Sequence, residues 1–412
     1  MEVVHHNIPI DIIRKILLKL EIKSVIRCEC VCKEWRSIIQ DPDFKLSYDG
    51  SKRVIVVAQS SKSCLALTSI TNTTTPLIET LFRRDTRGST TFPPLNRWWS
   101  GVWCSCNGLV LFSLREHILL WNPTTRCCTK VLELQRLLSS WDVLDLVEGL
   151  CYDVPSLGRN DVVSGLCYVP STGDYKAVVC FLCDRTSVFV ASLKSKEWRK
   201  VLFPYNTESI RDDGVNFHNT LHWRVGDLQT GLDKIVYFDP ESDEFKEMSI
   251  PVPEGESSVI LGMGIIDECL CVALELERGG SIQVLVMKEY GVEKSWVTGF
   301  NISTIYLDCE KFSSDYINAT LYSSKCNAKV LMICRNISSS WEILVHDLKN
   351  NTLKPTFFTE SSVYWGFIGI CSYVQSTVSP REFIWRYNDD QHNPPAQNDD
   401  ALLRFILGRF NI

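Results

Sequence analysis

Phe238-Asp239-Pro240-Glu241-Ser242-Asp243-Glu244-Phe245 decides how the body of this 412-residue chain is read. The apolar run Lys234-Ile-Val-Tyr-Phe238 ends on an aspartate, a polar turn follows, and Phe245 opens the next stretch. The same order returns in Leu120-Trp-Asn-Pro-Thr-Thr-Arg126, Ser192-Leu-Lys-Ser-Lys-Glu-Trp198, Met287-Lys-Glu-Tyr-Gly-Val-Glu-Lys-Ser-Trp296 and His346-Asp-Leu-Lys-Asn-Asn-Thr-Leu353. Copies spaced by roughly 45–75 residues fit propeller blades of about 40–50 residues carrying loop insertions. Each turn suits a hairpin between the third and fourth strands of a blade, and the trailing aromatic is placed to pack between blades.

Working outward, short runs rich in Val, Ile, Leu, Phe and Cys alternate with turn residues from about residue 52. Val54-Ile-Val-Val-Ala58, Gly108-Leu-Val-Leu-Phe112 and Lys329-Val-Leu-Met-Ile-Cys334 are examples. No long helical pattern interrupts them, and a parallel α/β sheet would require one. A β-sandwich stays open because the repeat is irregular. A shorter echo, Glu148-Gly-Leu-Cys-Tyr152 against Ser164-Gly-Leu-Cys-Tyr168, reads as an extra strand or an insertion.

The first 46 residues read differently. Pro9 suits a helical first turn. After it Ile12, Ile13, Ile16, Leu17 and Leu20 recur at helical spacing. A second helix begins near Lys23-Ser24, with Ser24 as cap. A third runs through Val31, Trp35, Ile38 and Ile39 and stops at Asp41-Pro42. Three short amphipathic helices bury little surface by themselves, so a lasting docking surface is expected here. A cap folded back on the body is the alternative. At the other end, residues 388–400 are polar and Pro-broken, as in a flexible linker, and residues 401–412 form a short apolar end.

Composition narrows the function. A net charge of −6 argues against a protein that mainly grips a phosphate backbone. No apolar run approaches the roughly 18 residues of a membrane helix. Met1-Glu-Val-Val-His-His-Asn7 does not read as a signal peptide, so a cytoplasmic or nuclear protein is expected. The 18 cysteines then read as buried reduced thiols, as in Val178-Val-Cys-Phe-Leu-Cys183, where strand geometry turns i and i+3 to opposite faces. Without secretion, Asn-x-Ser/Thr at Asn72, Asn301, Asn318, Asn336 and Asn350 reads as coincidence. His218 and His222 fall in a strand–turn–strand rather than on a helix. Cys32 has no base near it in sequence. No catalytic constellation, metal site or cofactor is expected.

The head resembles the F-box. Ile8-Pro9-x-Asp11-Ile12-Ile13-x-x-Ile16-Leu17-x-x-Leu20, Lys23-Ser24-Val25-Ile26-Arg27, Cys30-Val31-Cys32-Lys33-x-Trp35-x-Ser37-Ile38-Ile39 and Asp41-Pro42-x-Phe44 carry the likeness. Lys15 stands where that family usually has Glu, and Glu21 where it often has Pro. The body resembles the kelch-like F-box-associated domain of plant F-box proteins. The matching pieces include Ser105-Cys-Asn-Gly-Leu109, Trp121-Asn-Pro-Thr124, Gly173-Asp-Tyr-Lys-Ala-Val178, Leu221-His-Trp223 and Tyr373-Val-Gln-Ser376.

The resemblance implies a mainly β fold with a small α N-terminal domain. A three-helix F-box over 1–46 would precede an irregular β-propeller over 47–387, with about six blades or seven, and a tail over 388–412. It implies a non-catalytic substrate receptor of an SCF-type ubiquitin ligase. A Skp-type adaptor would bind the head, and a cullin and a RING subunit would follow through it. Ile8, Pro9, Ile12, Ile16, Leu17, Leu20, Val31, Cys32 and Trp35 are the expected adaptor contacts, with Trp35 the leading anchor. Arg97, Trp98 and Trp99 are the candidate contacts for an unknown protein substrate, because blade-connecting loops gather at one propeller end. Neither nucleic acid nor membrane is an expected partner. An adaptor-binding protein outside any active ligase, or a propeller enzyme such as a glycosidase, would be the rival functions.

Overall fold

In a computed structural model, the chain turns from helix to strand between Ser47 and Lys52. The structure describes residues 8–60, 64–71, 78–85, 102–114, 117–133, 162–181, 186–211, 214–226, 233–251, 258–276, 281–303, 317–324, 327–335, 341–347, 350, 352–356 and 365–383. Arg97, Trp98, Trp99, the Glu148–Tyr152 echo and the tail lie outside them.

The head holds α1 (Ile10–Leu17), α2 (Ile22–Cys28), α3 (Lys33–Gln40) and α4 (Pro42–Ser47). Three helices were expected, and Asp41-Pro42 instead opens a fourth. The Asp41 side chain accepts the Phe44 amide at 3.0 Å, and Pro42 occupies the first helical turn, where a missing N–H costs nothing. Two caps also move. Pro9 sits one residue before α1, its carbonyl accepting from Ile12 and Ile13. Ser24 lies inside α2, which starts after Glu21. Ile13, Leu17, Ile22, Val25, Ile38, Ile39, Phe44 and Tyr48 form the head's own core.

The strands come in fours. β1 (Lys52–Ser60), β2 (Cys64–Thr71) and β3 (Ile78–Asp85) are followed by β4 (Val102–Cys106), β5 (Leu109–Leu114), β6 (His117–Asn122) and β7 (Cys127–Glu133). Then come β8 (Val162–Val169), β9 (Asp174–Phe181), β10 (Ser187–Ser192) and β11 (Trp198–Leu202), and β12 (Val215–Phe217), β13 (Thr220–Gly226), β14 (Asp233–Asp239) and β15 (Glu244–Met248). Next are β16 (Ser258–Ile266), β17 (Cys269–Leu276), β18 (Ser281–Met287) and β19 (Trp296–Ser303), then β20 (Ile317–Ser324), β21 (Asn327–Arg335), β22 (Trp341–Asp347) and β23 (Thr352–Thr356). The last strand, β24 (Trp365–Val374), returns to pair with β1 and completes the first blade in the order β24-β1-β2-β3. Closure by the last described strand removes the open edge a linear stack of sheets would expose.

The result is a six-bladed propeller among the described residues. Its irregularity has a location: β16 and β20 pair in parallel at Gly264–Leu321 and Ile265–Tyr322, joining the fifth and sixth blades in one eight-stranded sheet. The repeated polar turns join third and fourth strands in blades two to six, as expected from the sequence. Their aromatics reach the neighbouring blade in two places. Phe245 packs edge-on against Phe203, and Trp296 donates its indole N–H to the Ser249 carbonyl at 3.0 Å. First and second strands meet in two-residue turns at Asn107-Gly108, His218-Asn219 and Asp267-Glu268, all with positive φ. That backbone matches the twist of a tight hairpin.

Strand direction fixes the two ends of the propeller. Lys52 pairs with Val374, so the chain enters and leaves at the same end. The Asn107-Gly108 turn lies there too, with the Asn107 carbonyl accepting from Ser376. Alternating strands then put the tight turns at the head's end and the connections between blades at the opposite end.

Candidate protein-docking face

The helix α1 carries two apolar stripes a quarter-turn apart. Ile13 and Leu17, spaced i and i+4, face inward and are buried. Ile12 and Ile16, spaced alike, face outward with 44% and 47% of their surface exposed. Ile8 (57%), Ile10 (54%) and, at the α2–α3 junction, Val31 (63%) are open as well. One helix thus holds the head together with one side and offers the other. Covering a fully exposed isoleucine or valine would contribute about 1.5–3 kcal/mol.

The structure divides the nine residues expected to touch an adaptor. Ile8, Pro9, Ile12, Ile16, Val31 and Cys32 are exposed. Leu20 and Trp35 are half-buried against the head's core and keep an outer face. Leu17 is fully buried and has no surface to give; its place on α1 makes it a core residue. Cys32 stands just before α3 rather than within a helix, its Sγ accepting the Trp35 amide at 3.4 Å. Sequence reasoning passed over Ile10 and Leu46, both exposed. The signal for Ile10 was the Ile8-x-Ile10-x-Ile12 alternation leading into the helix, which a search for helical spacing does not register. Lys15 and Glu21, the departures from the family pattern, are both exposed.

The face rests on a braced scaffold. Arg14 reaches Asp41 at 3.3 Å, and its guanidinium lies 5.6 Å from the centre of the Phe44 ring. The Phe44 amide, followed by Arg14, holds the Asp41 carboxyl below its usual range against the opposing effect of burial. The Tyr48 hydroxyl donates to the Leu20 carbonyl at 2.7 Å, satisfying a backbone acceptor just past the end of α1.

Elsewhere the reactive residue types serve packing. Twelve described cysteines are free thiols and seven of them are buried. Burial pushes the Cys106, Cys167 and Cys271 thiols well up, away from the thiolate form a nucleophile needs. His222 is buried, with Nε2 2.9 Å from the Tyr290 hydroxyl and Nδ1 3.2 Å from the Val215 carbonyl. Desolvation lowers its pKa to about 4, so it is neutral at physiological pH. His218 stacks on Phe217. No metal-holding cluster of His, Cys, Asp and Glu occurs among the described residues.

A small helical head with an open apolar face is carried at one end of a closed propeller, which is the architecture of an F-box protein with an F-box-associated propeller. The chain belongs to the F-box-associated β-propeller family. The model for the F-box associated beta propeller domain matches residues 54–380, and that for the F-box domain matches residues 6–47. An F-box/kelch-repeat protein of Arabidopsis thaliana is 30% identical over 305 residues, 71% of this chain and 78% of its own. The F-box protein CPR1 of the same plant is 29% identical over 370 residues, 81% of each chain. Among solved structures, an oligogalacturonate lyase in complex with manganese aligns over 77% of this chain and 79% of its own. At 10% identity and a TM-score of 0.38, that likeness carries no functional argument.

Proposed function

We propose that this protein is the substrate-receiving subunit of an SCF-type ubiquitin ligase. The observation that carries the reading is the outward stripe of Ile12 and Ile16 with Ile8, Ile10 and Val31 beside it, on a head matched by the F-box model. A Skp-type adaptor covers this face, and a cullin and a RING subunit attach through the adaptor. The far end of the propeller, where the connections between blades gather, receives the target protein. The chain's own chemistry is then proximity: it raises the local concentration of a target lysine near a thioester held by another subunit. It contributes no nucleophile, metal or cofactor, and it works in the cytoplasm or nucleus.

Co-expression with a Skp-type adaptor, a cullin and a RING subunit tests the reading. A four-component assembly that builds ubiquitin chains supports it. An assembly that stops at the adaptor would instead favour an interaction protein outside any ligase. Failure to hold the adaptor at all would remove the basis of both.

A further inference from the structure

The chain does not end its structural role at β24. Residues 375–383 run back beneath the propeller at the head's end, and Gln375, Ser376, Thr377, Val378, Pro380 and Phe383 are all buried. Two glycines let this segment approach: a Cβ on Gly50 would strike the Gln375 carbonyl, and one on Gly108 would strike Ser376 and the Val374 carbonyl. Gly108 also holds φ +80°, which side-chain-bearing residues adopt at a cost. The segment then meets the head. Gln375 donates its amide to the Ser51 carbonyl in the link between head and β1 at 3.0 Å, and Glu382 reaches the head itself by pairing with Lys45 of α4 at 3.4 Å.

Asn122 grips the middle of the segment. It is fully buried at the start of the β6–β7 turn. Its Oδ1 caps that turn, accepting the Thr124 amide at 2.8 Å and the Thr125 amide at 3.2 Å. Its Nδ2 donates to the carbonyls of Ser376 (3.0 Å) and Val378 (2.7 Å). The same turn in the fourth and sixth blades carries Asp239 and Asp347, whose carboxylates also accept turn amides. Those two need only an acceptor. The second blade alone of the three must also supply donors, and an amide does both jobs where a carboxylate does one. Phe383 closes the far end, its ring edge-on to Tyr175 at 5.2 Å.

We propose that residues 375–383 form a clasp that holds the helical head in one fixed orientation on the propeller, and that Asn122 is its latch. Along the chain, the head is joined to β1 by the short link 48–51. A clasp anchored in the second and third blades and reaching α4 converts that single link into a two-point attachment. The target-receiving end is thereby held at a constant distance and angle from whatever binds the head. The clasp is read from this chain's own contacts and stands whether or not a ligase assembles.

The test uses the full chain with donor and acceptor dyes on non-natural residues at Lys19 and Leu202, both exposed. Single-molecule energy transfer should give one narrow population in the unaltered protein. Asn122→Asp keeps the turn cap but removes both donations and sets a carboxylate against two carbonyls. It should broaden that population and speed amide exchange across 375–383, with the propeller still folded. If Asn122→Asp does not fold, Phe383→Ala loosens the same clasp from its other end and should broaden the distribution too. A narrow, unshifted population with fast exchange in 375–383 would overturn the proposal, as would a broad population in the unaltered protein.

Discussion

The head and the propeller draw on the same apolar residue types and dispose of them in opposite ways. Of nine large apolar side chains that are exposed among the described residues, Ile8, Ile10, Ile12, Ile16, Val31 and Leu46 lie in the head. Among residues whose exposure is described, only Leu202, Val292 and Val297 lie in the propeller, although these residues are several times more numerous there than in the head. The propeller closes through β24 and β1 and has two inner sheet faces per blade interval to fill. Four helices of six to eight residues have too few neighbours to cover all their own apolar surface. The difference teaches that isoleucine in the head is in part left exposed, as the proposed docking surface requires, whereas buried isoleucine in a blade is structure.

Leu17→Ala breaks the comparison from the inside. Leu17 is fully buried among Ile13, Val25 and Ile39, so truncation should cost about 2–5 kcal/mol and melt the head. Helical signal and adaptor binding should vanish together while the β signal stays, and differential scanning calorimetry with circular dichroism checks it. An unchanged head would mean that its core does not hold it.

The propeller should carry its own pH signature. His222 titrates near 4 when folded and near 6.5 when unfolded, so the unfolded chain binds more protons between those values. The stability contributed by neutral His222 is fully present above pH 6.5 and is lost as pH falls towards 4. The loss amounts to about 3 kcal/mol. Urea melts of the unaltered protein and His222→Phe at pH 7 and pH 4.5 compare the two; a parallel pH slope would remove His222 as its source.

Smaller effects sharpen the boundary between the regions. Asp41→Ala removes the α4 cap and should cost the head about 1 kcal/mol, with the propeller's transition unmoved. Lys45→Ala removes a pair in which Glu382 is exposed but the Lys45 side chain is largely buried, and should change either transition by less than about 1 kcal/mol. A large effect from Lys45→Ala would show that head and propeller melt as one unit.

Much of this was legible in the chain. The Phe238–Phe245 turn and its copies marked the third-to-fourth-strand hairpins because a tight turn imposes local residue choices. Arg126, Lys196 and Asp243 hold positive φ at those turns. Helical spacing found α1 to α3. It could not separate Ile12 and Ile16 from Ile13 and Leu17, since neighbouring stripes on one helix are equally apolar and only packing tells them apart. Asp41-Pro42 read as a stop because a proline can end one helix and begin another, and the side-chain cap that decides between them is visible only in three dimensions. Asn122 read as a turn former; its second task depends on an irregular segment 254 residues away in sequence. The end proposed to receive a target stayed illegible, because the connections between blades repeat no pattern.

The most direct test of the account is a calorimetric titration of a Skp-type adaptor into the unaltered chain and into the Ile12→Ala, Ile16→Ala double variant. The account predicts a negative heat-capacity change for the unaltered chain and at least a tenfold loss of affinity, about 1.4 kcal/mol, in the variant. Both proteins should melt alike. Equal affinity in the two proteins, or lost binding that only accompanies an unfolded head, would contradict it.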